Sequence, residues 1–554
     1  MVTSGVSSAR RNRAADAGVG LCASLLHARA LGHGFLNWDD NRFITANPLF
    51  AAGGWDYVRA ALTRVQFDAY HPLHLLAYLP DRWLWPGSST GFHALSLLLF
   101  ALDAALLFAL CGRRAGPLAA AAATLLFAAH PLTVEPVEWV SARKDLLAAA
   151  LFLGALLVED GRAPDERRAA PAGVALFVAA LLAKSSALCL APILWCWLIW
   201  MRNVRPRVAA WRAAPYALLA AAEAMAVVTI WRGHQMIPGR PTPAPIDVLA
   251  TVATYARRVL WPSDLAALYP ATMPAPALSA SIVVAAAFAA ALTWRRWPPA
   301  ARFALAAFLL ALLPVSNLVP VVFRFADRYA FLALVVLVPP AAVGLDALFR
   351  SGGRRRLLVL GAVAAAGLAL ARVSFGLGAS WHDSRALWAR ATAAQPAAFM
   401  ARLKDGETLR DQQEWAAAAN EYQAAVRLRP DSPLGYVGLF YLYALRAESE
   451  GRLPSGAAAR WLGELGAAID DRTRLDALTA EVPRAACPAC ANALLLLDLR
   501  RWPRSDETLT RAARSALDDG LPDVALLLLS QARDRSTPAW VDLAMRARQA
   551  AGAR

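Results

Sequence analysis

The sequence has no Walker loop, no GxGxxG followed by a ribose-binding acid, no GxSxG and no HExxH. Nucleotide-driven and zinc-protease chemistry are therefore unsupported, because each needs its own phosphate-cradling turn or metal-binding pair. Cysteine is scarce, with six in 554 residues: Cys22, Cys111, Cys189, Cys196, Cys487 and Cys490. The first four fall in apolar runs, where buried inert thiols are expected. Cys487-Pro488-Ala489-Cys490 is a lone CxxC, without the second pair or neighbouring His that a four-ligand zinc site needs. In an oxidising compartment a local disulfide is its expected state. A cleavable signal peptide is not expected either. Arg10–Arg13 has the charge of an n-region, but Leu21–Leu26 is short and His27 and Arg29 interrupt the next turn.

Apolar residues are what the chain has in abundance. They make up 58% of it, and the mean hydropathy is +0.40. A soluble fold does not hide that much apolar surface. The net charge of +16 does not point to nucleic acid, because much of the Arg sits in short loops beside apolar runs. Arg113-Arg114, Arg167-Arg168, Arg205 with Arg207, Arg295-Arg296 and Arg354–Arg356 alternate with those runs. This pattern puts them all on the cytoplasmic side. The expected spans are Ala14–Gly34, Gly91–Cys111, Gly116–His130, Leu146–Val158, Ala169–Ala183, Ala187–Met201, Ala213–Trp231, Ala277–Trp294, Phe303–Val319, Ala330–Phe349 and Leu357–Leu377. The fold class is thus all-α: a polytopic membrane bundle of about 11 spans, residues 1–380, followed by a helical tail, residues 381–554. With the N-terminus in the cytoplasm, an odd count leaves the tail extracytoplasmic.

In the tail the long apolar runs stop. Trp381–Pro396 reads as a helix. Glu407–Pro430 reads as two, with the turn at Trp415-Ala416. Pro396 and Pro430 are 34 residues apart, the tetratricopeptide (TPR) period. Tyr422, Ala424, Ala425 and Leu428 fit the second helix of such a unit. Asn492–Leu499 and Pro522–Arg533 also read as helical.

The outer segments carry the chemistry-bearing residues. Asp39-Asp40 follows the first span. Adjacent carboxylates repel, so one should bind its proton more tightly and serve as a general base. Asp40, farther from the span end, is expected to have the greater reach. His71 lies later in the same segment, in His71-Pro72-Leu73-His74. His130, Glu135, Glu138, Arg143 and Lys144 follow the third span, where acids can flank a cation or sugar and a base can meet phosphate. Arg324 and Arg328 are four apart, so on a helix they share a face, with Asp327 beside them; two guanidinium forks there could grip a phosphate. Each motif also has a plain structural reading as a cap or an ion pair. Lys184 reads as an ordinary interfacial Lys. Asp103 and Glu223 are the clear mid-span acids.

Taken in order, Trp38-Asp39-Asp40 with Asn47-Pro48, His71-Pro72-Leu73, Gly91-Phe92-His93, Ala129-His130-Pro131 through Trp139-Val140, and Arg143-Lys144-Asp145 form a series. Trp261-Pro262 with Tyr269-Pro270, and Leu313-Pro314 through Pro320 with Ala326-Asp327-Arg328-Tyr329, continue it. The series resembles the transmembrane and TPR-containing O-mannosyltransferases and their bacterial relatives. These are similar to the C-type glycosyltransferases, which use polyprenyl-phosphate sugars. The resemblance runs roughly from Leu36 to Pro430. It implies an outward-facing site, with Asp39 or Asp40 as base, Glu135 or Glu138 as a second acid, and Arg324 or Arg328 on the donor phosphate. His71, His130, Arg143, Lys144 and Asp327 complete the expected substrate contacts. Some relatives use a divalent metal at the acid cluster, so a metal there is left open. The expected partners are the lipid-linked sugar donor, a protein or glycan acceptor, membrane lipids and a protein held by the TPR-like tail. Two departures from the family pattern are the poor first span and a repeat array reduced to one unit. On the residues alone, two other classes stay open: a non-catalytic membrane scaffold that binds envelope partners through its tail, and a lipid or glycan transporter, which would need ionisable residues at mid-span.

Overall fold

A computed structural model describes residues 2–66, 69–233, 244–270, 276–318, 323–430, 432–449, 506–518 and 522–552. Among them every regular element is helical, apart from one isolated bridge between Gln66 and Ala69. Cys487, Cys490, the expected helix 492–499, Val319 and Pro320 lie outside the described residues. Contacts divide the chain into two units, Met1–Ala398 and Phe399–Arg554.

In the first unit, α1 (Val2–Leu25) leads into short helical turns. Then come α2 (Ser89–Gly112), α3 (Pro117–Ala128), α4 (Pro131–Glu138), α5 (Arg143–Asp160), α6 (Pro171–Ala183) and α7 (Ser185–Met201). They are followed by α8 (Pro206–Trp231), α9 (Pro245–Leu260), α10 (Pro276–Arg296), α11 (Pro299–Val315), α12 (Asp327–Phe349), α13 (Gly353–Trp381) and α14 (Ser384–Ala394). Proline marks the starts: Pro117, Pro171, Pro245 and Pro299 each open a helix. The missing N–H is one that the first turn leaves unpaired anyway, and the fixed φ suits the helix.

Five helices are long and apolar enough to cross a membrane: α2, α8, α10, α12 and α13. The pair α3 and α4, bent by 63°, makes a sixth if it counts as one span. This falls short of the expected 11. The apolar stretches of α6, α7 and α11 are helical but run to only 10–17 residues, under the roughly 20 needed to cross upright. α5 carries Arg143, Lys144, Asp145, Glu159 and Asp160 at its ends. Burial separates the long helices. In α10 and α13 only 6% of the apolar stretch is buried, and in α8 11%, against 44% in α2 and 56% in α12. The first three thus expose apolar flanks such as Leu218, Phe288 and Leu368, which water would not tolerate and lipid does. α1 and α2 approach closely: a Cβ on Gly20 would run into the Ala101 carbonyl oxygen, the small-residue contact common between helices in lipid. Cys22, expected to be buried, is exposed; Cys111, Cys189 and Cys196 are buried and free.

Two acids at the C-terminus of α5 gather much of the basic face. Asp160 pairs with Arg113 at 3.0 Å and with Arg114, and accepts from Trp197 Nε1 at 2.9 Å. Glu159 pairs with Arg212 at 3.1 Å and accepts from the Tyr216 hydroxyl at 3.0 Å. Arg212 and Glu159 are fully buried. Part of the Arg pattern is therefore internal ion pairing rather than loop charge.

The second unit contains α15 (Phe399–Asp411), α16 (Trp415–Leu428), α17 (Pro433–Ser449), α18 (Asp506–Asp518), α19 (Pro522–Ser530) and α20 (Pro538–Gly552). α15 and α16 form a helical pair, with Ala418, Tyr422 and Ala425 buried. The turn lies at Gln412–Glu414, with Gln413 at φ +61°, so Trp415 starts the second helix instead of forming the turn. No repeat array is seen among the described residues.

Candidate active site

Arg328 sits at the start of α12 inside a ring of aromatic faces. Its guanidinium carbon is 5.3 Å from the Trp38 ring centroid, 5.2 Å from Trp139, 5.7 Å from Phe323 and 5.3 Å from Tyr329. Trp38 stacks on Trp139 at 4.4 Å. Glu135 closes the ring: its carboxylate accepts from the Arg328 backbone N at 2.9 Å and from Nη1. The cage positions the cation, and its net charge is cancelled by Glu135. Next to it, Asp327 accepts from the Tyr269 hydroxyl at 2.7 Å and pairs with Arg258 at 3.3 Å.

The two adjacent aspartates are treated in opposite ways. Asp40 is fully buried. Its carboxylate accepts from Leu36 N at 2.9 Å, Ser141 N at 3.1 Å and Ser141 Oγ at 2.5 Å. It ties the end of the first segment to the turn before α5. Burial pushes its carboxyl up to about 6, against these donors, and the charge of Asp39 is the smallest of the named causes. The expected rise is present, but desolvation drives it more than carboxylate repulsion. The expected reach of Asp40 is reversed, since three donors hold it in place. Asp39 is half-buried, and its side chain takes part in no hydrogen bond or ion pair among the described residues.

The cation facing Asp39 is Lys144. It is half-buried, its Nζ lies 5.6 Å from the Phe43 ring centroid, and the charges acting on it are Asp39, Lys184, Arg328 and Asp145. It too has no hydrogen bond or ion pair among the described residues. Lys184 reaches back to Asp145, whose second oxygen has no partner. His71 borders the group. Burial, followed by Lys144 and Lys184, lowers its imidazole to about 3, so it is neutral, and its Nε2 accepts from Ser185 N at 3.2 Å. Thus Lys144, Lys184 and Arg328 meet Asp39, Asp145 and Glu135. Two of the three cations are already paired; Lys144 and Asp39 are not. Sequence reasoning treated Lys184 as an interfacial residue and gave Asp145 no role. A signal was available: the chain has only three lysines, Lys144, Lys184 and Lys404, and two are here.

The remaining candidates lie apart from this pair. Arg143 is buried on Asp81 through Nη2 at 2.9 Å and through Nη1. Glu138 pairs with His27 at 2.8 Å, beside His33. His130 bridges locally, accepting from Leu132 N at 3.2 Å and reaching the Val259 carbonyl oxygen at 3.0 Å. Arg324 pairs with Asp247 at 2.5 Å. It lies in a bend before the 3₁₀ turn Asp327–Ala330, so it does not share a helical face with Arg328 as expected. Among the described residues no three His, Cys, Asp or Glu side chains form a metal-holding group. The acid pair does not suit a divalent ion, because Asp40 is saturated by donors and the charge facing Asp39 is an ammonium.

No protein-family model matches the chain, and comparison with curated proteins and with solved structures finds no match.

Proposed function

We propose that the chain is an integral-membrane glycosyltransferase that moves a sugar, mannose in the first instance, from a polyprenyl-phosphate carrier to a protein or glycan hydroxyl. The observation that carries this reading is the uncommitted pair Asp39 and Lys144, with Lys184 beside it. The resemblance of the ordered motifs supplies the reaction class.

Asp39 takes the proton of the acceptor hydroxyl as that oxygen attacks the anomeric carbon. The bond from that carbon to the phosphate oxygen breaks, and the configuration inverts. Polyprenyl phosphate leaves with added negative charge, which Lys144 and Lys184 stabilise as it develops. Lys184 does so by turning from Asp145 to the phosphate. Arg328, caged and paired, holds the aromatic wall. No step uses a metal.

Eleven crossings remain the topology we propose. The five long spans, the bent pair, the three shorter apolar helices, α1 and α5 make up that number. Short spans are accommodated where the protein thins the bilayer. The proposed orientation puts the Arg-rich loops in the cytoplasm and Asp39 outside.

A transporter reading has one observation in its favour: Asp103 in α2 is fully buried, with neither carboxylate oxygen hydrogen-bonded. One experiment separates the two. Purified full-length protein is incubated with radiolabelled polyprenyl-phosphate sugars and hydroxyl acceptors. The enzyme reading expects label on the acceptor, or slow hydrolysis to free sugar. Movement of intact donor across proteoliposomes, without transfer or hydrolysis, removes it.

A further inference from the structure

At the end of α6 remote from Lys184 there is a groove of about 770 Å³, within the roughly 300–1,000 Å³ of small-molecule sites. The 13 residues of α6 separate it from the candidate active site by about 20 Å at 1.5 Å per residue. The groove is lined by Arg167 and Arg168, by Val174 and Ala175 of α6, and by Trp211 and Pro215 of α8.

Three features give it a ligand. The first is free charge. Arg167 and Arg168 are exposed and take part in no ion pair or hydrogen bond among the described residues, whereas Arg113, Arg114 and Arg212 at this end close onto Asp160 and Glu159. Glu166 is taken by Arg162 at 2.8 Å, and Asp165 does not line the groove. The second is an apolar wall ending in Trp211, which is 67% exposed, the placing of an indole at a bilayer interface. The third is a backbone acceptor. Pro215 lies inside α8 and has no N–H to give the carbonyl four residues back, that of Trp211.

We propose that this groove binds one anionic glycerophospholipid of the phosphatidylglycerol type from the surrounding leaflet. Its phosphate lies between Arg167 and Arg168, its acyl chains follow Val174 and Ala175, and a headgroup hydroxyl donates to the Trp211 carbonyl. The inference needs the membrane reading of the chain and not the glycosyltransferase reading.

The test uses the full-length protein in detergent, read by native mass spectrometry and thermal midpoint as lipid is titrated. Phosphatidylglycerol binds saturably and raises the midpoint; phosphatidylcholine and inorganic phosphate do not. At about 1 kcal/mol per arginine near an anionic headgroup, Arg167→Gln with Arg168→Gln weakens binding about thirtyfold, and Arg167→Gln alone about fivefold. The single variant serves if the double one does not fold. Pro215→Ala returns the N–H, so it weakens phosphatidylglycerol and spares phosphatidic acid, which lacks the glycerol hydroxyls. Parent-like binding in the arginine variants overturns the proposal. So does an equal shift with inorganic phosphate or phosphatidylcholine, which would make the groove a simple anion or lipid-filled surface.

Discussion

Asp39 and Asp40 are neighbours in sequence and opposites in structure, so replacing each by Asn should separate catalysis from folding. Asp40 receives three hydrogen bonds on two buried oxygens. Asn keeps one oxygen. If that oxygen stays on Ser141, the new amide faces the Leu36 N–H, and two donors oppose each other. An unsatisfied buried donor costs about 1–3 kcal/mol, and above about pH 6 removal of the buried charge offsets it. Asp40→Asn should therefore lower the thermal midpoint only at low pH, where Asp40 is protonated, while at every pH each folded molecule keeps its turnover. Asp39 has no hydrogen bond to lose, so Asp39→Asn should change stability by no more than about 0.5 kcal/mol. Loss of the base should slow transfer by about 10²–10⁴. Both variants are assayed for transfer per folded molecule, with folding followed by melting in detergent. A stable Asp40→Asn protein that is inactive, beside an active Asp39→Asn protein, would reverse the assignment. Parent-like transfer in both would send the search for a base elsewhere, and Glu135 and Glu138 are already tied to Arg328 and His27.

Lys144→Gln should raise the donor KM roughly ten- to hundredfold with little change in stability, since a charge-assisted bond is worth about 1.5–3 kcal/mol. Lys184→Gln should lose about 3 kcal/mol of stability by stranding buried Asp145; adding Asp145→Asn should restore stability but not donor affinity, and recovery of both would make the pair purely structural. The raised Asp40 pKa, about 6 in the fold against 3.8, gives a stabilisation that is complete below about pH 4 and lost as pH rises through 6, worth about 3 kcal/mol by linkage. The parent should lose stability relative to Asp40→Asn between those pH values, and parallel melting curves would contradict this. A reporter active only in the periplasm should be active when fused after Arg390 and silent after Asn203; the reverse pattern would remove the outward-facing site.

The all-helical character and the helices apolar enough to cross a membrane were legible because apolar runs and proline starts are local signals. The span count was harder, because Ala-rich helices such as α6 and α11 are apolar but short, and α5 is charged at both ends. Site legibility failed in a consistent direction. Motif reasoning found Asp39, Lys144, Glu135 and Arg328, yet could not tell which were already neutralised. Glu135 and Arg328 are 193 positions apart, and no local pattern announces that they cancel. Arg143 looked like a phosphate ligand until Asp81, 62 positions away, took its guanidinium. Asp40 was preferred over Asp39 on reach, and its partner Ser141 lies 101 positions along. In each case the missing information was a long-range partner.

These partners also explain the contrast between the two basic residue types. In the first unit, arginine does structural work wherever it is deeply buried: Arg143 on Asp81, Arg212 on Glu159 and Arg328 on Glu135. A planar fork suits that use, since it offers several N–H donors in a fixed geometry and stacks on aromatic rings; on Asp81 the Arg143 fork takes both carboxylate oxygens. The same geometry makes arginine a poor choice where a charge must be free to change partner. An ammonium is a compact point charge on a flexible stem. Lys184, held by one carboxylate oxygen while the other goes unpaired, can turn to a phosphate without dismantling a bidentate lock. A chain that places 54 of its 57 basic residues as arginine, and keeps two of its three lysines beside one free aspartate, separates the cations that build the fold from those available to a substrate. That separation supports the roles proposed for Asp39, Lys144 and Lys184, with Arg328 and Glu135 as their wall.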